Sequence, residues 1–113
     1  MEARALLLVV FVGVGLMLAG ISVPMILKVI PPNPFYGFRV PKTMKNPDIW
    51  YAINTYSGWW LLGAGLLEAL SAAALYVLFP GFDKDLYATA QGVVMTVLMI
   101  VAMKASFDKL KEM

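Results

Sequence analysis

The chain has 113 residues, of which 61% are hydrophobic and only 14% are charged, and its formal net charge at pH 7 is +2. This composition excludes an ordinary soluble domain and is typical of a small integral membrane protein. The chain contains no cysteine and no histidine, which excludes disulfides and thiol chemistry and removes the commonest general base and metal ligand.

The first hydrophobic segment, residues 5–27, is long enough to span a hydrocarbon core of roughly 30 Å. A cleaved signal peptide is the competing interpretation, but the segment is long for one and no small-residue cleavage site follows it. Pro24, near its end, frees one backbone carbonyl that a neighbouring group must satisfy. We therefore predict a first membrane helix here.

Residues 28–46 form a loop of a different composition. Five of the seven prolines of the chain lie in or just after it: Pro31, Pro32, Pro34, Pro41 and Pro47. Because proline fixes φ and biases the residue before it toward extended backbone, the part from residue 31 to residue 41 is predicted to be stiff, ordered and non-helical. Gly37 is predicted to supply a turn.

A second helix is predicted to begin with Asn46 as the N-cap, Pro47 as the first helical residue and Asp48 as a first-turn carboxylate. It continues to about Phe79, where a Pro-Gly pair ends it. A helix of this length is about 50 Å long, which exceeds the hydrocarbon thickness. The membrane span is therefore predicted over about residues 55–79, with the aromatic start of the helix at the interface.

The third helix is predicted over residues 86–103, with Asp83 or Asp85 as its N-cap. Two nearby carboxylates also suit a cation, but capping is the favoured interpretation. The charged tail, residues 104–113, is predicted to continue this helix into water. The expected fold is an all-α integral membrane protein with three transmembrane helices and an ordered Pro-rich loop between the first and second, in a single module over residues 1–113.

Basic residues predict the orientation. With three spans, the amino terminus and the second loop share one side, which carries Arg4 and Lys84. The first loop and the tail share the other side, which carries Lys28, Arg39, Lys42, Lys45, Lys104, Lys109 and Lys111. The positive-inside rule therefore predicts a multi-pass protein of the cell membrane with its amino terminus outside and its loop and carboxyl terminus in the cytoplasm.

A spaced pattern of polar, aromatic and glycine residues runs from the loop into the second helix. It consists of Asn33, Pro34, Tyr36, Gly37, Arg39, Thr43, Asn46, Trp50, Asn54 and Gly58. This pattern resembles the signature of the SdpI/YfhL family, over about a third of the chain. Trp59 follows Gly58 here, where members of that family often carry a basic residue.

The resemblance implies a small bacterial or archaeal membrane protein, since the family is named for an immunity protein against a secreted killing peptide. The founding member is longer, and this chain looks like the family module alone. Asn33, Tyr36 and Thr43 are interpreted as residues that fasten the loop, to which Asn54 contributes a hydrogen bond.

Glu68 is the one ionisable residue deep in a span, so it is expected to be neutral or partnered. A functional interpretation is a proton- or ligand-linked site. The alternative is a neutral carboxyl that only serves packing, hydrogen bonded to Ser71, Thr89, Thr96 or a backbone carbonyl.

Arg39 also has two interpretations. Its guanidinium suits a carboxylate or phosphate of a lipid or partner, or it binds carbonyls that the local prolines leave open, which we favour. Lys42 and Lys45 are expected to lie near anionic lipid, at roughly 1 kcal/mol each.

One face of the second helix is predicted to turn inward because it carries polar and small residues. Its members are Trp50, Asn54, Ser57, Leu61, Ala64, Glu68 and Ser71.

Five methionines are adaptable packing residues that also suit a groove for a hydrophobic peptide. These are Met17, Met25, Met95, Met99 and Met103.

Three classes of function follow. The first is a non-enzymatic membrane protein of the immunity type, which binds a hydrophobic toxin peptide, a lipid or a partner through the pattern residues and Glu68. The second is a small proton-coupled transporter that acts as an oligomer around Glu68, and the third is an assembly protein. Small residues at Gly65, Ala69 and Ala73 predict a homodimer. No catalytic group, metal, cofactor or nucleic-acid partner is expected.

Overall fold

The computed structural model of the protein describes residues 2–113. Within this part it contains four helices and no strand: α1 (Ala3–Ile26), α2 (Pro41–Met44), α3 (Pro47–Leu78) and α4 (Lys84–Leu110). Helices α1, α3 and α4 are long and apolar enough to cross a membrane, and the molecule is about 50 Å long. The predicted all-α fold with three membrane helices is confirmed, whereas the single turn of α2 inside the loop was not predicted.

Helix α1 contains Pro24 and ends two residues after it. Lys28 adopts the left-handed conformation, with a φ of 60°. Its N–H lies 3.3 Å from the Met25 carbonyl, and the Val29 N–H lies 3.2 Å from the Pro24 carbonyl. This pair of bonds is a Schellman motif, so the chain leaves α1 in a fixed direction toward the loop.

Helix α3 begins as predicted. The Asn46 side-chain oxygen accepts hydrogen bonds from the N–H groups of Asp48 at 3.0 Å and Ile49 at 3.3 Å, and Pro47 is the first helical residue. These bonds satisfy two of the N–H groups that a helix start leaves open. The helix ends at Leu78, one residue before the predicted position.

Helix α4 begins at the N-cap Asp83, whose carboxylate accepts a hydrogen bond from the Leu86 N–H at 2.8 Å. Capping is therefore the observed role of Asp83, while the Asp85 carboxylate lies 3.8 Å from the Lys84 ammonium. The predicted third span and the tail as far as Leu110 form one continuous helix of 27 residues.

Helix α3 is central, and α1 packs against it at very short range. A Cβ atom on Gly65 would lie 2.5 Å from the Gly15 carbonyl oxygen and 2.7 Å from the Ala19 nitrogen. A Cβ atom on Gly15 would lie 3.1 Å from the Ala69 Cβ. Gly65 and Ala69 were predicted to contribute to a dimer interface; the homodimer itself stays a prediction, and in this structure both residues lie against α1. Their side of α3 is covered by α1 of the same chain.

At each end of the bundle, a cationic side chain joins two segments of the chain. At one end, the Arg4 guanidinium donates to the carbonyls of Tyr76 at 3.3 Å and Phe79 at 3.2 Å, near the end of α3. At the other end, the Lys42 ammonium donates to the Leu110 carbonyl at 2.9 Å. Lys42 was expected only to lie near anionic lipid, but it joins the loop to the end of α4.

Substitution of Gly65 by alanine tests the α1–α3 contact. Gly65→Ala places a methyl group against backbone atoms of α1, so we expect it to destabilise the fold by about 1–3 kcal/mol. The matched control is Gly63→Ala on the same helix, where a Cβ atom would meet no atom within 4 Å. A clear drop in the melting temperature in detergent is expected for Gly65→Ala alone. Equal melting temperatures for the two variants would contradict the close approach of the helices.

Candidate functional site

Asn33 ties the first turn of the loop together. Its side-chain oxygen accepts hydrogen bonds from the N–H groups of Phe35 at 2.9 Å and Tyr36 at 2.7 Å. Its amide nitrogen donates to the carbonyls of Pro31 at 2.8 Å and Tyr36 at 3.0 Å. The side chain thus uses two acceptor sites and both donors, and it replaces the backbone bonds that the prolines cannot make.

Gly37 and Asn54 form the next contact. Gly37 has a φ of +112°, which confirms the predicted turn. The Asn54 side chain on α3 accepts a hydrogen bond from the Phe38 N–H at 2.6 Å and donates to the Trp50 carbonyl at 2.9 Å. A Cβ atom on Gly37 would lie 2.8 Å from the Asn54 side-chain oxygen, so a larger residue would separate the loop from α3.

Trp50 and Thr43 make hydrogen bonds to the two ends of the loop, near Ile30 and Val40. Trp50 is fully buried, and its indole N–H donates to the Ile30 carbonyl at 2.8 Å. The Thr43 hydroxyl lies 2.9 Å from the carbonyls of Phe38 and Val40 and accepts a hydrogen bond from the Val40 N–H at 3.0 Å. The loop is therefore packed against the first turns of α3.

Tyr36 and Thr55 satisfy carbonyls at the end of α1. The Tyr36 hydroxyl donates to the Ile21 carbonyl, in the turn before Pro24, and the Thr55 hydroxyl lies 3.3 Å from the Met25 carbonyl. Burial raises the pKa of the Tyr36 phenol above its ordinary value, so the phenol keeps its proton at neutral pH and remains a donor.

Arg39 is exposed and donates to the Pro34 carbonyl. This contact agrees with the interpretation that Arg39 binds a carbonyl left open by the local prolines. Because a guanidinium has five N–H donors, the same side chain retains the capacity to bind an anion from outside the protein.

A groove of about 610 Å³ lies next to this loop, between α1 and α4. Ser57 and Leu61 of α3 form its floor, and residues 35–40 of the loop close one end. Its side walls include Leu18, Ile21 and Met25 of α1 and Met99, Met103 and Phe107 of α4. Ile21 and Met103 are 38% and 57% exposed, so the groove opens at the surface of the bundle.

The interior of the groove is apolar in practice, although two serines line it. The Ser57 hydroxyl donates to the Ser106 hydroxyl at 2.6 Å, which in turn donates to the Ala102 carbonyl at 2.8 Å. Both hydroxyl protons are therefore used within the protein. Among the described residues that line the groove, Arg39 is the one charged side chain, and it lies in the loop together with Tyr36, whose hydroxyl is bonded to the Ile21 carbonyl.

Glu68 lies elsewhere. It is 1% exposed on α3, about 21 Å along the helix from Asn54 at the rise of an α-helix, and it does not line the groove. Within residues 2–113 its carboxyl oxygens have no hydrogen-bond partner. The expected bonds are therefore wrong: Ser71 donates to the Glu68 backbone carbonyl, Thr96 donates to the Gly92 carbonyl, and Thr89 is exposed.

Five of the seven residues predicted to face inward on α3 are buried, namely Trp50, Asn54, Ser57, Ala64 and Glu68, while Leu61 and Ser71 are half-buried. Most of this face is not open to a ligand. The loop, α1 and α4 cover it, and the groove reaches it only at Ser57 and Leu61. In the described part of the chain, no three acidic side chains come together as a metal site.

Several site residues could not be found from the sequence. The bonds from Ser57 to Ser106 and from Lys42 to Leu110 join residues 49 and 68 positions apart. The sequence feature that points to them is weak, namely small polar residues within otherwise apolar helices.

Three of the five methionines named above, Met25, Met99 and Met103, line the groove, whereas Met17 and Met95 do not.

Three apolar helices and an ordered proline-rich loop, fastened to the second long helix, define a small multi-pass membrane protein. The family model described as the SdpI/YfhL protein family matches residues 29–107, and the chain belongs to that family. The match extends beyond the pattern from Asn33 to Gly58 and includes Glu68 and most of α4. No curated protein and no solved structure matches the chain significantly.

The contact between Asn54 and the loop can be tested directly. Asn54→Leu keeps a similar volume but leaves the Phe38 N–H unpaired, so we expect a loss of about 1–3 kcal/mol of stability. Amide hydrogen exchange at Phe38 should become faster than in the natural protein. The control is Lys45→Ala, since Lys45 is exposed and its side chain makes no hydrogen bond in the described residues. Unchanged exchange at Phe38 in Asn54→Leu would show that Asn54 does not hold the loop.

Proposed function

We propose that the protein is a non-enzymatic membrane protein of the immunity type, which binds a hydrophobic peptide within the bilayer. The observation that carries the proposal is the groove between α1 and α4, which is apolar inside, exposed at its rim and closed at one end by the family's patterned loop. Membership of a family named for an immunity protein supports the same class of function.

The size of the groove limits how a peptide binds. A helix about 10 Å in diameter that rises 1.5 Å per residue occupies about 120 Å³ per residue. At 610 Å³ the groove therefore accommodates only about one turn and a half of such a helix, or a few large side chains. A peptide would lie across the opening and insert apolar side chains, as in other recognition of a helix by a groove.

The polar end of the groove supplies selectivity. Lipid tails match any apolar surface, so apolar contact alone distinguishes a peptide from lipid poorly. Arg39, at the loop end, offers N–H donors to a peptide carboxylate or a polar backbone group. Arg39 is therefore proposed as the residue that distinguishes a peptide end from a lipid tail.

We also propose that the loop end of the bundle faces the cytoplasm. The contact between Lys42 and Leu110 brings the loop and the end of α4 together. Seven cationic and three acidic side chains belong to this end of the sequence, against two cationic and three acidic ones at the other. The positive-inside rule then gives an amino terminus outside the cell.

The transporter alternative depends on Glu68, whose carboxyl has no partner within the described residues. This observation favours a proton-linked role of some kind. However, Glu68 is only 1% exposed, and it does not line the groove. Peptide binding is therefore the better-supported proposal.

Cysteine labelling tests the orientation. The natural chain has no cysteine, so Lys45→Cys provides a single reactive thiol on the exposed part of the loop. A membrane-impermeant maleimide should label it only after the cells are opened. Labelling in intact cells would contradict a cytoplasmic loop, and Lys84→Cys, which should be labelled in intact cells, is the matched control.

The binding function is tested in cells sensitive to the secreted killing peptide of the founding family member. We expect the natural chain to protect these cells and Met99→Trp, which fills the groove, to lose most of the protection at equal protein abundance. The control is Ile100→Trp, at the next position, where the side chain is 60% exposed and faces away from the groove. Equal protection by both variants would rule out the groove as the binding site.

Variants of the patterned loop separate the two candidate sites. Protection should survive Glu68→Gln but fall in Arg39→Ala and Asn54→Ala, because the last two remove polar contacts at the closed end of the groove. Loss of protection in Glu68→Gln alone would place the function in the centre of the membrane and favour the transporter. Absence of protection and of peptide binding by the natural chain would refute the proposal.

A further inference from the structure

Two buried side chains on neighbouring helices present acceptor oxygens that nothing satisfies. Glu68 on α3 is 1% exposed and Gln91 on α4 is fully buried. Both carboxyl oxygens of Glu68 and the amide oxygen of Gln91 lack a hydrogen-bond partner in the described residues. Buried polar atoms in proteins are almost always paired, and in a membrane span there is no bulk water to pair them.

The donors around these oxygens are already in use. The Gln91 amide nitrogen lies 3.1 Å from the Glu68 backbone carbonyl and 2.9 Å from the Ser71 hydroxyl, which accounts for both of its hydrogens. The Ser71 hydroxyl donates to the Glu68 backbone carbonyl at 3.0 Å. The Tyr87 hydroxyl donates to the Ala72 carbonyl at 2.9 Å. The hydrogens of Gln91, Ser71 and Tyr87 are therefore already used in these bonds.

We propose that Glu68 and Gln91 form an intramembrane proton-binding site, in which the Glu68 carboxyl holds a proton and donates it in a hydrogen bond to the Gln91 amide oxygen. One proton gives the carboxyl a donor and gives the Gln91 oxygen its partner, while the Gln91 nitrogen keeps both of its present bonds. This site is independent of the groove and of peptide binding.

The charged and titratable groups near this site do not provide another counter-charge. From α4 the facing group is the Tyr87 phenol, and from α1 the one cation is Arg4. Its terminal nitrogen donates to the carbonyls of Tyr76 and Phe79 at the end of α3, and the guanidinium lies 4.7 Å from the centre of the Tyr76 ring. The Arg4 Nε–H is buried and has no partner in the described residues. Among the described residues, none of the ion pairs includes Glu68.

The bound proton has a structural consequence, because it connects α3 to α4. An ionised carboxylate at this position would be an unpaired charge inside a span, which is strongly unfavourable. The folded protein thus holds a proton that the exposed carboxyl of an unfolded chain would release at neutral pH.

Infrared spectroscopy of the folded protein tests the site. Glu68 is the one acidic side chain buried in the described residues, and the other six are all exposed. We expect one protonated-carboxyl C=O band at pH 7 in the natural protein and no such band in Glu68→Gln. Absence of the band in the natural protein would overturn the proposal, in favour of a carboxylate that binds a cation or a water molecule.

Two further measurements examine the partner and the folded state. Gln91→Met, which retains an unbranched side chain, should shift the frequency of the Glu68 band, and an unshifted band would exclude Gln91 as the acceptor. Glu68→Gln should remain folded because its amide can donate to Gln91 in the same way.

The pH dependence of stability provides the third outcome. Because the folded state binds one proton more than the unfolded state above about pH 5, the stability of the natural protein should fall as pH rises, until Glu68 ionises in the folded state. This slope should be smaller in Glu68→Gln. Identical slopes for the two proteins would overturn the proposal.

Discussion

The fold depends on the requirement that backbone polar groups in or near a bilayer find partners inside the protein. The loop after α1 contains four prolines before α2 is complete, and it makes no strand or long helix that would satisfy its own carbonyls and N–H groups. Side chains of α3 meet this requirement instead. Trp50 binds the carbonyl of Ile30, Asn54 binds the N–H of Phe38, and the loop is thereby held in one conformation.

The same fastening creates the candidate site. Gly15 and Gly65 draw α1 onto one side of α3, while α4 packs elsewhere on α3, and the gap between α1 and α4 remains as the groove. The loop closes one end of this gap because Asn54 and Tyr36 attach it to α3 and α1. The bonds made by residues of the family pattern therefore hold the loop beside an apolar opening.

Features that depend on local sequence were predictable. Composition gives the three spans, Asn46 and Asp83 give the helix starts, and Gly37 gives the turn, because each of these is decided by neighbouring residues. Features that depend on how the helices are arranged were not. The small residues Gly65 and Ala69 predict that some helix will approach closely, but not that it is α1 of the same chain.

The environment of Glu68 shows the same limit. Its depth in a span follows from the sequence, but its partners depend on which residue of α4 lies opposite. That residue is Gln91, whose amide makes two bonds to α3. The hydrogen bond between the serines at positions 57 and 106 also could not be predicted, since the sequence around each serine alone indicates only a small packing residue.

The central claim is that the groove beside the loop is the place where a hydrophobic peptide binds. The methionine methyl groups of the protein report on it without any substitution, because Met25, Met99 and Met103 line the groove while Met17 and Met95 do not. The direct measurement is a methyl NMR titration of the isotope-labelled protein, in lipid nanodiscs, with the killing peptide of the founding family member. Shifts or broadening confined to Met25, Met99 and Met103 are predicted. Changes at Met17 and Met95, with the three groove methyls unmoved, would contradict the claim.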